Sequence, residues 1–229
     1  MMSNRTLSLF QLCDSNFPTG AFSHSYGLET YIQSDLVHSP ETFSNWLKVY
    51  LEEQLVFSDG LAARLAYEAL DAGDEERLWE LDRLLTVQNL ARETREGTHR
   101  IGVQMLKMAK KLYGAPILDV YHARIKDNQV FGHPALVFTM AGHYLEVDRD
   151  TTVLYYMYTS IVNLVQNAVR AIPLGQTAGQ QIIYSLQEDL MAAVEKINQL
   201  GEDDFGIVSP GMELAQMQHE RLNVRIFSS

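Results

Sequence analysis

Between Asp150 and Glu188 run 37 residues that carry one charge, Arg170. Such a stretch either crosses a membrane or lies at the centre of a folded domain. Its first part, Thr151 to Val169, is a 19-residue uncharged run. Thr151, Thr152, Thr159, Ser160, Asn163, Gln166 and Asn167 interrupt it, which is too polar for a hydrocarbon core. The apolar positions Val153, Leu154, Met157, Ile161, Leu164, Val165 and Ala168 recur at three- and four-residue steps, so the run predicts a helix buried inside a domain. Pro173 removes a backbone donor and ends it. A second stripe, Ile182, Ile183, Leu186, Leu190, Val194, Ile197 and Leu200, continues to Gly201. An unpaired buried charge is costly, so Arg170 is expected either to be buried with a partner or to sit at an interface. The competing reading has it reaching solvent beside the helix end near Pro173.

The same period fills the rest of the chain. Ser39 and Pro40 have the chemistry of a helix cap and first helical position. Phe43, Trp46, Leu47, Tyr50, Leu51 and Leu55 follow on one face, and Gly60 is read as an interruption. Leu61, Leu65, Ala66 and Leu70 resume the pattern as far as Gly73. Leu78, Leu81, Leu84 and Leu85 form a further stripe. Ile101, Met105, Met108 and Leu112 form another, closed by Gly114 and Pro116, and Asp150 is placed as the cap of the next helix. No sustained alternation appears, although NQVFGHPALVF has room for one short strand. With no repeat, low-complexity tract or linker, the expected fold is all-α: a single-domain helical bundle of roughly eight to ten helices over 1–229.

Chemistry is harder to find. With 18 basic and 29 acidic residues the formal charge is −11, a balance that argues against nucleic acid as a partner. One cysteine, Cys13, leaves no internal disulfide and points to a reducing compartment. The N-terminal residues lack the apolar core and cleavage site of a secretory signal, so a cytoplasmic protein with no membrane association is expected. Ser23 and His24 are neighbours in sequence, which sends their side chains apart, and no nucleophile elbow occurs. Among His24, His38, His99, His122, His133, His143 and His219 no pair has i, i+4 spacing, and no cysteine pair supports zinc. Gly97 and Gly102 are spaced like the glycines of a phosphate loop, but Val103 and Gln104 stand where Lys and Ser/Thr belong. Arg92, Glu96 and Arg100 read as a solvated helix face. The residues alone predict no enzyme, no cofactor and no metal site.

Four segments in order carry a resemblance. They are FPTGAFSHSYGLE (Phe17 to Glu29), ARETREGTHRIG (Ala91 to Gly102), AVRAIPLGQTAGQ (Ala168 to Gln180) and MQHERLNVRIFSS (Met217 to Ser229). Together they resemble the UreF family of urease accessory proteins, with Ile226 where that family's ending has Leu. The resemblance implies an all-α, non-catalytic, dimeric protein of urease maturation. It would join UreD (also called UreH) and the GTPase UreG to deliver nickel to the urease apoprotein. The alternative it leaves open is a GTPase-activating or fidelity regulator of UreG acting on its own. Rival classes are a direct nickel carrier and a helical hydrolase built on Ser23 or Cys13. The residues expected to bind partners are Pro18, Gly20, Phe22, Gly27 and Glu29 in the first segment, Arg170 and Gln176 in the third, and His219, Arg225 and Phe227 in the last. A C-terminal tail, about 221–229, is expected to dock a partner; packing against its own domain is the competing arrangement. The Pro18–Gly20 turn is expected to feed a helix through Ser23, with Gly27 left small for close packing.

Overall fold

A computed structural model describes residues 4–206 and 209–229. Among these there is no strand, and the chain forms eleven helical segments, one more than the upper bound expected. They are α1 (Asn4–Leu12), α2 (Leu28–Gln33), α3 (Pro40–Val49) running through a π-helical stretch (Tyr50–Gly60) into α4 (Leu61–Ala72), α5 (Glu75–Gln88), α6 (Arg92–Tyr113), α7 (Pro116–Lys126), α8 (Pro134–Tyr144), α9 (Arg149–Ala171), α10 (Gln176–Ser185), α11 (Gln187–Gln199) and α12 (Pro210–His219). Short 3-10 turns cover Ala21–Ser23 and Glu202–Asp204.

The bundle is organised around α8 and α9. Every residue from Pro134 to Gly142 is buried, and α4, α6, α7 and α9 pack around that helix. α9 lies against α4, α8, α10, α11 and the π stretch, so the uncharged run is central as its composition required. The segment allowed a short strand is instead the start of α8, with Pro134 at its first position and the His133 ring accepting from the Ala135 amide. A helix that is apolar all round shows no period, which is why the pattern missed it.

Several local expectations hold and others shift. Ser39 caps α3 in a reciprocal capping box with Thr42, Pro40 following at the first turn. The cap of α9 is Asp148, which accepts from the Thr151 amide at 2.9 Å. Asp150, the residue expected there, bonds Arg149 and Asn198 instead. Gly60 does not interrupt: the helix passes through it, and a Cβ there would lie 2.6 Å from Ile197 Cδ1 on α11. The stripe from Ile182 to Leu200 divides at Leu186 into α10 and α11.

The α7–α8 connection is held by one buried carboxylate. Asp82 of α5, fully buried, accepts from Tyr121 Oη at 2.6 Å and from the amides of Phe131, Gly132 and His133 at 2.5, 3.2 and 2.9 Å. Each bond to an ionised acceptor is stronger than a neutral one, and together they satisfy the charge that burial would otherwise penalise.

Candidate functional site

The expected partner-binding residues mostly converge on one corner, where α2, the start of α6, the end of α9 and α12 meet the last residues of the chain. Gly27 caps α2 with φ +87°, and a Cβ on it would come within 3.1 Å of Gln216 Cγ, so α12 sits close over α2 as a side-chain-free position permits. Thr30 Oγ1 donates to the Ala215 carbonyl across the same contact at 2.8 Å. Gly20, with φ +83°, makes the preceding turn. The turn does not feed α2 through Ser23: Ser23 ends a short 3-10 turn, and Gly27 is the cap.

At the end of α12, His219 is fully buried. Its Nε2 lies 2.9 Å from Glu29 Oε2 and its Nδ1 lies 3.0 Å from Glu93 Oε2. Glu29 also accepts from the amides of Ile226 and Phe227 at 2.6 and 3.1 Å. Glu93 accepts from Arg225 Nη1 through both oxygens, at 2.9 and 3.0 Å. Burial pushes the Glu93 carboxyl up, but the hydrogen bonds and charges of His219 and Arg225 outweigh it and hold it below the usual carboxylate range. Two carboxylates from separate helices thus clamp the tail on either side of one imidazole.

Farther along, the Ser228 amide donates to the Ser23 carbonyl at 2.7 Å and the Ser25 amide to the Ser229 carbonyl at 2.5 Å. His24 Nδ1 is 2.6 Å from Ser229 Oγ. The His24 carbonyl accepts from Asn167 Nδ2 at 2.7 Å. Burial, then the charges of Arg100 and His219, push the His24 imidazole down to about 4. The ring packs on Gly97, where an added Cβ would fall 2.5 Å from two of its atoms. The glycine spacing that mimics a phosphate loop therefore belongs to a helix face seating a histidine.

Arg170 is exposed at the last turn of α9, and the expectation that it is buried is corrected. It still has partners: Nη1 donates to the Phe22 carbonyl at 2.7 Å, and the guanidinium stands 5.2 Å from the Phe227 ring and 5.9 Å from the Phe22 ring. Phe227 is itself buried against the domain while Arg225 and Ile226 face outward. The tail is therefore packed on its own domain, the competing arrangement, and a partner reaching Phe227 would have to lift it.

Phe22, Gly27, Glu29, Arg170, His219, Arg225 and Phe227 thus share one site, reached through the turn at Pro18 and Gly20. Gln176 is exposed at the first turn of α10, with no bond to the tail among the described residues. Sequence reasoning missed Glu93, His24 and Asn167, which complete the clamp. Glu93 lies inside a segment singled out for its motif, but only pairing across 126 residues reveals its role.

Beside this corner, a cavity of about 70 Å³ opens between Tyr26, Tyr50, Asp59, Thr98 and Tyr156. Tyr156 Oη donates to Asp59 Oδ2 at 2.6 Å. Burial, with Asp59 adding to it, raises all three phenols well above the ordinary tyrosine value. Among the described residues no three His, Cys, Asp or Glu side chains gather as metal ligands. Cys13 is buried in the core, and burial pushes its thiol up to about 11, far from the thiolate a nucleophile needs. No helix is long and apolar enough to cross a membrane.

Comparison with known proteins bears on this arrangement. A family model described as UreF matches residues 37–187. The urease accessory protein UreF of Lachnoclostridium phytofermentans is 53% identical over 228 residues, with 100% of both chains covered.

Proposed function

The chain belongs to the UreF family of urease accessory proteins, and from that membership we propose that it acts as a scaffold for nickel insertion. In this reading it joins UreD (UreH) and UreG, as a homodimer in the cytoplasm, and presents that assembly to the urease apoprotein. It performs no catalysis itself. Nickel is the cargo of the assembly, and nucleotide chemistry belongs to UreG.

The observation that carries the reading to a surface is the clamped tail. Glu29, Glu93 and His219 fix the backbone of Ile226 and Phe227, so Val224, Ile226, Phe22 and Arg170 are presented outward on a rigid frame. Exposed apolar groups beside an arginine stacked on aromatic rings are the composition of a protein-binding hot spot. A partner that binds this face better in one of its own states biases that state by the difference in affinity alone.

The deciding experiment is co-purification with UreD and UreG, followed by urease activation with nickel and bicarbonate. The reading requires a stable complex whose formation drops at least about tenfold with Ile226→Asp plus Arg170→Glu, variants that leave the core untouched. A folded protein that forms no complex defeats it.

A further inference from the structure

The protein's charge is strongly segregated. Residues 92–127, which span α6 and α7, hold eight basic against four acidic side chains, a net of +4. The other 193 residues hold ten basic against 25 acidic, a net of −15, which together make the −11 of the whole chain. Within α6, Arg100, Lys107 and Lys111 follow at steps of seven and four, so they stand on one face. Lys110 and Lys126 flank that face, one on each helix, where α6 packs on α7.

Most of this charge is uncommitted. Lys110 pairs with Asp119 at 2.8 Å. Lys107, Lys111 and Lys126 are exposed and make no ion pair among the described residues. The lysines act on one imidazole between them: after burial, the charges of Lys110, Lys126 and Lys107 are what push His122 down. Cations at helix C-termini are favourable, which accounts for Lys110, Lys111 and Lys126 individually. It does not account for Arg100 and Lys107, which lie before the last turn, or for the shortage of acidic neighbours in so acidic a chain.

We infer that the α6–α7 ridge is a second docking surface, taking an acidic face of one of the urease-maturation partners. The inference rests on the scaffold reading above and adds to it a separate site. Lys111 lies 14 residues along α6 from Gly97, roughly 20 Å at the helical rise, so the ridge and the clamped tail can be occupied at once. Leu112 and Val120 are exposed beside the lysines, which suits a protein surface better than a phosphate backbone. The acidic remainder of the molecule repels a long polyanion while leaving a compact acidic patch steered to the ridge.

The test is the full-length triple variant Lys107→Glu, Lys111→Glu, Lys126→Glu, mixed with UreD, UreG and urease apoprotein one at a time and together. Association with one of these partners is expected to slow at least about tenfold near 0.05 M salt, and the gap is expected to shrink near 0.3 M, with melting temperature unchanged. The triple Lys→Gln variant should show a smaller loss of the same kind. Wild-type binding matched by the charge-reversed protein at both salt concentrations overturns the second surface and leaves the scaffold reading intact. If the wild-type protein binds none of the partners, both fall. Loss confined to duplex DNA, phosphatidylserine vesicles or self-association reassigns the ridge and likewise overturns the proposal.

Discussion

His219 and Glu29 lie 190 residues apart in sequence and meet at 2.9 Å in the interior, while the other ring nitrogen of His219 faces Glu93. An imidazole with a carboxylate on each nitrogen satisfies both contacts only when each shared position holds a proton. The three groups, with the tail amides, form a network in which no member can be deleted without stranding another in the protein interior.

Removing Glu29 should therefore release the tail before it unfolds the bundle. Glu29→Ala strands His219 and the amides of Ile226 and Phe227, at a cost of about 2–4 kcal/mol. Hydrogen exchange at Ile226 and Phe227 should accelerate toward unprotected rates, while amides of α8 slow their exchange only as far as global stability dictates. Retained protection at Phe227 in a folded Glu29→Ala protein would show that the clamp does not hold the tail.

Acid should loosen the same corner. The His24 imidazole is pushed down to about 4 from an ordinary 6.5. Between those values the unfolded chain binds the proton and the folded one does not, so this contribution is complete above 6.5 and is lost as pH falls toward 4. Its ceiling is about 3 kcal/mol at 1.4 kcal/mol per unit. Glu93, held below the carboxylate range, contributes above its unfolded value and loses that contribution as pH falls through its lower folded value. Both terms weaken on the acid side. Melting temperature should fall steeply from pH 6.5 to 4, and His24→Ala should flatten the upper part of that fall.

How much of this was legible in the sequence depended on distance and on contrast. Helices with one wet face, such as α3 and α6, announce themselves because polar and apolar positions alternate at the helical period. α8 has no wet face and therefore no signal. The cap at Ser39 could be read because serine followed by proline encodes it locally, whereas Asp148 and Asp150 are chemically equal and only the backbone chooses. Most of the tail site was named from the resemblance rather than from spacing. Glu93, His24 and Gly97 stayed hidden because their partners lie across the fold. Charge segregation, by contrast, was present in the sequence all along and required only counting by segment.

The seat of His24 gives a direct steric test. Gly97→Ala places a Cβ 2.5 Å from the His24 ring, so the ring must leave Ser229 or α6 must move. The expected destabilisation is about 1–3 kcal/mol, the usual cost of overpacking. Adding His24→Ala removes the clash, so the double variant should be less destabilised than the sum of the two singles. Simple additivity would mean that Gly97 is required for another reason.

Asp82 provides the contrast, because its failure should spread through the core rather than the tail. Asp82→Asn keeps the volume but replaces one acceptor oxygen by an NH₂ facing amides and the Tyr121 hydroxyl. Donors then oppose donors in a site with no solvent access, a loss of about 2–5 kcal/mol. Tyr121→Phe deletes one bond of the network and leaves the Asp82 carboxylate three backbone donors, so about 1 kcal/mol is expected. Thermal unfolding of the two variants should differ accordingly, with Asp82→Asn the more damaged. Exchange at Phe131 to His133 should rise in Asp82→Asn while Ile226 and Phe227 keep wild-type protection at temperatures well below the transition. Equal damage from both variants would mean that the tyrosine hydroxyl, rather than the carboxylate, organises the α7–α8 connection.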